Sequence, residues 1–343
     1  MENVHDLKSR VSVDIDFEAD GKQHGHACVA LSVDESAWGQ IQMPITVIKN
    51  GEGPTVLFTG GNHGDEYEGP VAQFKLANKL EAKDIQGRVI IFPCMNMPAV
   101  MGGKRTSPID GGNMNRVFPG HPKGTMTEQI AHFVSTELVS RAEVVVDMHS
   151  GGKTLDFIPS AVIHNIPNKQ TMTKALAALK DFGAPVSMVL DEDTTGMLDG
   201  EVESRNKVFI STELGGMGTV IAERVKIAEN AIHNVLVHFG LITGEVITLE
   251  SQGLPPTEFL DTPSENFVRS KHQGIYEPLV DLGGRVKKGQ PIGQIWQYYN
   301  AGCAPEVYHA PTDGTIYARH VPGLISHGDA MALVAVDFEV PKL

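Results

Sequence analysis

His63 and Glu66 stand three residues apart in the run Thr59-Gly60-Gly61-Asn62-His63-Gly64-Asp65-Glu66-Tyr67-Glu68-Gly69-Pro70. One offers an imidazole nitrogen and the other a carboxylate oxygen, two of the three protein ligands that a catalytic zinc takes. A second imidazole, His149, follows the apolar stretch 144–148, and a further carboxylate, Glu213, follows the stretch 208–212. Two ligands on one turn plus an imidazole from another segment leave a fourth zinc position for water, whose pKa the metal lowers. Glu213 would then serve as general base, taking a proton from that water and passing it to a leaving amine. Each residue also has a plainer explanation. His63 and Glu66 fit a polar turn before a helix, His149 a buried structural histidine, and Glu213 a carboxylate at a helix start. Three such sites, each beside glycines at the end of an apolar run, make coincidence the weaker account.

The elements that must carry these residues alternate. Residues 55–59, 88–93, 143–148, 157–163, 186–190 and 208–212 read as strands; 69–82, 127–141, 168–182 and 220–239 read as helices, and 199–206 as a short helix or loop. Strand–loop–helix alternation predicts an α/β sheet wound on both faces, with its site at the carboxyl ends of the strands. Before it, residues 11–17, 27–33 and 42–49 alternate apolar and polar side chains and predict antiparallel strands on one edge. The segment 96–124, rich in Gly, Pro and Asn, reads as a long loop, and loops of that length in a compact domain are usually functional. After Gly244 the helical period disappears, and Leu254-Pro255-Pro256 is a plausible linker. The expected organisation is a catalytic domain over 1–250, including the edge strands of 1–50, and a small β-rich domain over 257–343. That second part resembles a barrel–sandwich carrier domain, but Lys287-Lys288 does not sit between hydrophobic residues at a hairpin tip, as a carrier lysine does.

Bulk properties exclude several classes. The 343 residues carry a formal charge of −14, which argues against nucleic acid and anionic membrane as partners. No stretch approaches the ~18 consecutive apolar residues of a membrane span. The first residues lack the basic and apolar regions of a signal peptide. The three cysteines, Cys28, Cys94 and Cys303, are scattered, and a cytoplasmic protein with free thiols is expected.

Four ordered motifs carry a resemblance: Gly61-Asn62-His63-Gly64-Asp65-Glu66, Asn113-Met114-Asn115-Arg116-Val117-Phe118-Pro119-Gly120, Asp147-Met148-His149-Ser150-Gly151 and Thr212-Glu213-Leu214-Gly215. Over roughly residues 45–240 the chain resembles the succinylglutamate desuccinylase/aspartoacylase family, a branch of the zinc carboxypeptidase-like fold. The resemblance implies a mixed sheet with helices on both faces, a C-terminal β-domain, one Zn2+ per chain, a small-molecule N-acyl amino acid substrate and a homo-oligomer, with a dimer expected. It implies His63, Glu66 and His149 as zinc ligands, Glu213 as general base, and Asn115 with Arg116 as the holder of the substrate's α-carboxylate, which a planar guanidinium grips bidentately. Arg105 matches the family arginine that polarises the scissile carbonyl, although the spacing from Arg105 to Asn115 is longer than in aspartoacylases.

One position departs from the family. Aspartoacylases place an arginine ten residues before the catalytic glutamate, against the acidic side chain of acetylaspartate; the matching residue here is Glu203. A carboxylate there would repel an acid and attract an ammonium, a direct way to change specificity. Arg205, two residues on, is the alternative binder, and Asp191, Glu192, Asp193 and Asp199 add negative charge nearby. Together with the run from Gly60 to Pro70, this resembles the branch of the family that deacetylates Nα-acetyl-L-2,4-diaminobutyrate in ectoine degradation. The rival readings are another N-acyl amino acid or peptide as substrate, and a non-catalytic binding or carrier protein.

Overall fold

A computed structural model describes residues 3–339 of the chain. The first half runs β1 (Ser12–Val13), β2 (Gly21–Val33), β3 (Ser36–Asn50), β4 (Thr55–Gly60), α1 (Glu68–Lys79), β5 (Gly87–Phe92), α2 (Met97–Gly102), α3 (Met126–Phe133), β6 (Val144–His149), β7 (Leu155–Phe157) and β8 (Ser160–His164). There follow α4 (Lys169–Asp181), β9 (Val186–Leu190), α5 (Leu198–Glu203), β10 (Val208–Glu213) and α6 (Ala222–His238). Apart from 3-10 turns at Glu250–Gln252 and Ser264–Asn266, the described remainder is built of strands: β11 (Glu258–Asp261), β12 (Phe267–Arg269), β13 (Gly274–Pro278), β14 (Arg285–Val286), β15 (Pro291–Trp296), β16 (Glu306–His309), β17 (Gly314–His320), β18 (Leu324–Ile325) and β19 (Ala330–Asp337). Among the described residues no helix is long and apolar enough to cross a membrane.

Alternation along the central strands decides the layers. Val56 and Phe58 of β4, and Val144 and Val146 of β6, pack with Ala72 of α1, Leu176 of α4 and Val235 of α6. Leu57, Val145 and Phe209 face the other way, onto Ile130 of α3 and Leu198 and Val202 of α5. Strands covered on both faces read as continuous apolar runs, as these do. Burying a side chain such as Phe58, which is fully enclosed, contributes about 1.5–3 kcal/mol. The expected fold class, a mixed α/β sheet with helices on both faces and a β-rich C-terminal part, is what the chain adopts.

The main sheet has the order β1-β2-β3-β5-β4-β6-β10-β8-β9-β11-β19-β17-β14, with β12 on β19 and β7 on β17. The edge strands of the first fifty residues are antiparallel, as expected, and form a long hairpin, β2–β3, with Trp38 98% exposed near its tip. A second sheet, β16-β15-β13-β18, carries Trp296 at the end of β15.

Three expectations need correction. The segment read as one strand over 157–163 is two: β7 pairs with β17 and β8 with β9 and β10, the change of partner falling at Ile158-Pro159. Proline there cannot donate to either ladder. The helix over 127–141 is α-helical only to Phe133 and continues as a wider π turn over Val134–Val139, its start fixed by a Thr125–Glu128 capping box. The long loop 96–124 holds α2 and a 3-10 turn at Met114–Arg116, too short for a periodic signal.

Candidate functional site

Strands β4, β6 and β10 lie side by side and parallel, with Gly60 level with Met148 and His149 level with Glu213. Their carboxyl ends therefore deliver the turn after β4, the end of β6 and the end of β10 to one place. The turn after β4 is tightly held. Gly61 has φ +64°, and a Cβ on Gly64 would fall inside the Ala99 carbonyl group of α2. Glycine is what lets this turn press against the α2 backbone. Gly64 N–H donates to the Lys104 carbonyl at 2.9 Å, and the chain then enters α1.

His63, Glu66 and His149 come together there, all buried, with their ligand atoms within 4.8 Å of one another. Nδ1 of His63 lies 2.7 Å from Glu66 Oε1, and Nδ1 of His149 lies 2.9 Å from Glu66 Oε2. The outer nitrogens are also engaged. Nε2 of His63 lies 3.2 Å from Asn113 Oδ1, and Nε2 of His149 lies 2.8 Å from Asp147 Oδ2. Those acceptors favour the tautomer with hydrogen on Nε2 and turn both Nδ1 lone pairs inward, the arrangement typical of metal-binding imidazoles. Two inward imidazole nitrogens and one carboxylate suit zinc.

Electrostatics agree with the grouping. Burial alone would raise the Glu66 carboxyl; His63 and His149 outweigh it and hold it well below the usual carboxylate range. Burial opposes charge on His149, but Asp147 and Glu66 raise it well above an ordinary imidazole. Asp147 is fully enclosed and also accepts from Thr59 Oγ1 at 2.8 Å and Asn62 Nδ2 at 3.0 Å.

Glu213 stands beside this group. Its Oε2 is buried and has no hydrogen-bond partner among the described residues. Burial, and then the neighbouring Glu66 charge, push its carboxyl up, partly offset by His149 and Arg105. A carboxylate of raised basicity next to three potential metal ligands can accept a proton from water.

A cavity of about 770 Å³ opens over His63, Glu66, His149 and Glu213, and Arg105, Asn115 and Arg116 line it as well. Arg105 is half exposed, its Nη1 3.3 Å from His63 Nδ1 and 3.5 Å from Glu66 Oε1. Asn115 is buried, and its Oδ1 accepts from the Leu198 amide at 3.0 Å. Arg116 Nη1 donates to the Asn115 carbonyl at 2.6 Å. All the expected site residues but one thus face a common space.

The exception is Glu203. It lies behind His164, whose Nδ1 is 2.8 Å from Glu203 Oε1 and whose Nε2 is 3.1 Å from Glu192 Oε1. His164 and Glu192 line both the main cavity and a neighbouring pocket, and Glu203 lines only the second. Counting ten residues back from Glu213 identifies the helix, α5, but not which of its turns meets the cavity. The turn that does so carries Asp199. Burial lowers the His164 pKa, but its bonds to Glu192 and Glu203 outweigh that and raise it to about 10. An imidazolium therefore sits between two carboxylates. Arg205, the alternative binder, is turned away from the cavity and pairs with Glu201.

Sequence reasoning gave no role to Asp147, Asn113 or Tyr317. The first two stood inside the quoted motifs, and their contacts with the outer histidine nitrogens are visible only in space. Tyr317 reaches the cavity from β17, its hydroxyl 2.6 Å from Ser160 Oγ, alongside Phe267, Leu333 and Phe338.

Comparison with known proteins gives the following. Residues 52–239 match the model of the succinylglutamate desuccinylase/aspartoacylase catalytic domain. The N-alpha-acetyl-L-2,4-diaminobutyric acid deacetylase of Halomonas elongata is 47% identical over 329 residues, 95% of each chain. A product-bound structure of the ectoine utilization protein EutE (DoeB) of Ruegeria pomeroyi is 46% identical, covers 96% of this chain and 99% of its own, and superposes with a TM-score of 0.92. A succinylglutamate desuccinylase/aspartoacylase structure from Rhodobacter sphaeroides is 40% identical, with 96% and 100% coverage and a TM-score of 0.91.

Proposed function

The chain belongs to the succinylglutamate desuccinylase/aspartoacylase family, and from that premise we propose that it is a zinc-dependent deacetylase of Nα-acetyl-L-2,4-diaminobutyrate, releasing acetate and 2,4-diaminobutyrate. It is an amide hydrolase, as its family is. The observation that carries the mechanism is the pairing of Glu213 with His149 across β10 and β6, which sets a buried, unbonded carboxylate oxygen beside the His63–Glu66–His149 group.

His63, Glu66 and His149 would hold the zinc, and the metal supplies a Lewis acid that polarises a carbonyl and acidifies water. Glu213 takes the proton of the attacking water, whose oxygen forms the new C–O bond of acetate. The same carboxyl then returns the proton to the departing α-nitrogen as the C–N bond breaks. Arg105, at the rim of the group, faces the negative charge that develops on the carbonyl oxygen. Arg116, braced by Asn115, grips the α-carboxylate.

The substrate assignment is supported by the relatives acting in this chemistry and by the wall of the cavity. Beyond Arg105, Arg116 and the His164 imidazolium its charged lining is acidic, with Asp191, Glu192, Asp199 and Asp261, which disfavours a substrate with an acidic side chain. Purified protein loaded with zinc is expected to release acetate from Nα-acetyl-L-2,4-diaminobutyrate faster than from acetylaspartate. Equal or reversed rates would remove the substrate assignment and leave the hydrolase. Glu213→Gln is expected to lower kcat by at least about 10²-fold; full turnover in that variant would remove the general base.

A further inference from the structure

Asp199 is 7% exposed, yet among the described residues its Oδ1 has no hydrogen-bond partner, and its side chain lines the main cavity. A buried carboxylate oxygen without a partner is costly to the folded chain. In native proteins such a group calls for an explanation, and at the wall of an open cavity a ligand can provide it. We propose that Asp199, rather than Glu203, receives the side-chain ammonium of the substrate and so sets the selectivity of the cavity for a cationic over a neutral side chain.

The position of Asp199 relative to the other end of the substrate is fixed by the backbone. The residue before it, Leu198, donates its amide to Asn115 Oδ1 at 3.0 Å. Gly196 carbonyl accepts from the Phe118 amide at 2.9 Å, and a Cβ on Gly196 would press on the Arg116 carbonyl at 2.8 Å. The turn leading into α5 is thus laced to the loop that carries Arg116. An amino acid held at its α-carboxylate by Arg116 meets Asp199 across a fixed gap, as a two-point receptor requires. Glu203, four residues on, is about 6 Å further along the helix axis and is spent on His164.

Charge and burial point the same way. Burial raises the Asp199 carboxyl, and His164 and His149 offset that only in part. A first-turn carboxylate gains something from the dipole of its own helix, but that gain leaves Oδ1 unbonded. A primary ammonium supplies both the opposite charge and up to three donors. Glu192, which also lines the cavity and feels Arg116, is already paired with His164, and Asp191 beside it adds negative field.

The inference rests on the deacetylase reading for its substrate, so the test has an arm without turnover. Nα-acetyl-L-2,4-diaminobutyrate and the neutral Nα-acetyl-L-2-aminobutyrate are compared as substrates of the zinc-loaded wild-type protein and of Asp199→Asn. Calorimetry with 2,4-diaminobutyrate and 2-aminobutyrate repeats the comparison by binding alone. Asp199→Asn is expected to reduce the preference for the diamino compound at least about tenfold in both arms, through KM rather than kcat. Asp199→Glu, which keeps the charge, should retain more of the preference than Asn. A binding preference that survives in folded Asp199→Asn, or that collapses instead in Glu203→Gln, overturns the inference. A variant that merely melts earlier with its preference intact marks Asp199 as structural and also overturns it. If the wild-type protein hydrolyses neither compound while binding still discriminates through Asp199, the deacetylase reading fails and this one stands.

Discussion

At the scale of single residues, the proposed site depends on groups that stand behind its histidines. Asp147 accepts from His149 Nε2 and is itself held by Thr59 and Asn62. Asp147→Asn keeps the shape but weakens the acceptor and frees the imidazole to turn, so a loss of metal affinity of about 10–100-fold is expected. Competition with a chelator measures it; unchanged zinc retention would show that the other contacts suffice. His164 makes a second, independent prediction. Its folded pKa is raised to about 10, above the ordinary value of about 6.5. The ion pairs it makes with Glu192 and Glu203 therefore stabilise the fold fully below about pH 6.5, and that stabilisation is lost as pH rises through about 10. Urea midpoints compared between wild type and His164→Gln across that window should converge at the alkaline end. Parallel curves would mean that His164 is neutral in the fold. The contrast between Asp147 and Glu213 shows what a sequence discloses. Glu213 closes an apolar run and invites a chemical role, whereas Asp147 is one polar residue inside such a run, and only depth and contact reveal its purpose. Asp199 was legible as background charge alone, because nothing in a string of residues says which carboxylate is buried without a partner.

At the scale of elements, strand ends were readable because fully covered strands are written as apolar runs with glycines after them. β4, β6 and β10 all follow that rule, and with them came His63, Glu66, His149 and Glu213. Short elements hid better. α2 is six residues long, less than two turns, and no periodicity can be seen over that length. Whether Glu203 meets the main cavity was hidden for a related reason: α5 is also six residues long, and a one-turn offset on it separates Asp199, which lines that cavity, from Glu203, which lines the neighbouring pocket. Where a helix start does carry a local signal, the sequence predicts energetics as well as position. The Thr125–Glu128 capping box opens α3, which packs Ile130 and Phe133 onto the sheet. Thr125→Ala is expected to lower stability by about 1 kcal/mol, read from a denaturation midpoint. A change in kcat larger than the change in stability can account for would tie α3 to the site.

At the scale of the whole molecule, the C-terminal strands are not an appendage. β11 lies between β9 and β19, β7 pairs with β17, and Val162, Val186 and Met188 share a core with Leu260, Tyr317 and Leu333. Ending the chain at residue 256 would bare that apolar surface and the edge of β9, an invitation to aggregation. Such a truncation is expected to lose cooperative unfolding and to bind an apolar dye; a soluble, cooperatively folding fragment would show that 257–343 is a separable domain. The composition shift near Gly244 was legible, but hydrogen bonding between distant strands leaves no trace in composition. The distribution of indoles has an optical consequence. The chain has two tryptophans, Trp38 almost wholly in water at the β2–β3 tip and Trp296 41% exposed at a sheet end. Native emission should already be red, and unfolding should shift it little, so a fluorescence melt would be nearly blind to loss of the core. The same placement makes Trp38 a quiet beacon: any blue shift in native conditions reports that the hairpin tip has left the solvent.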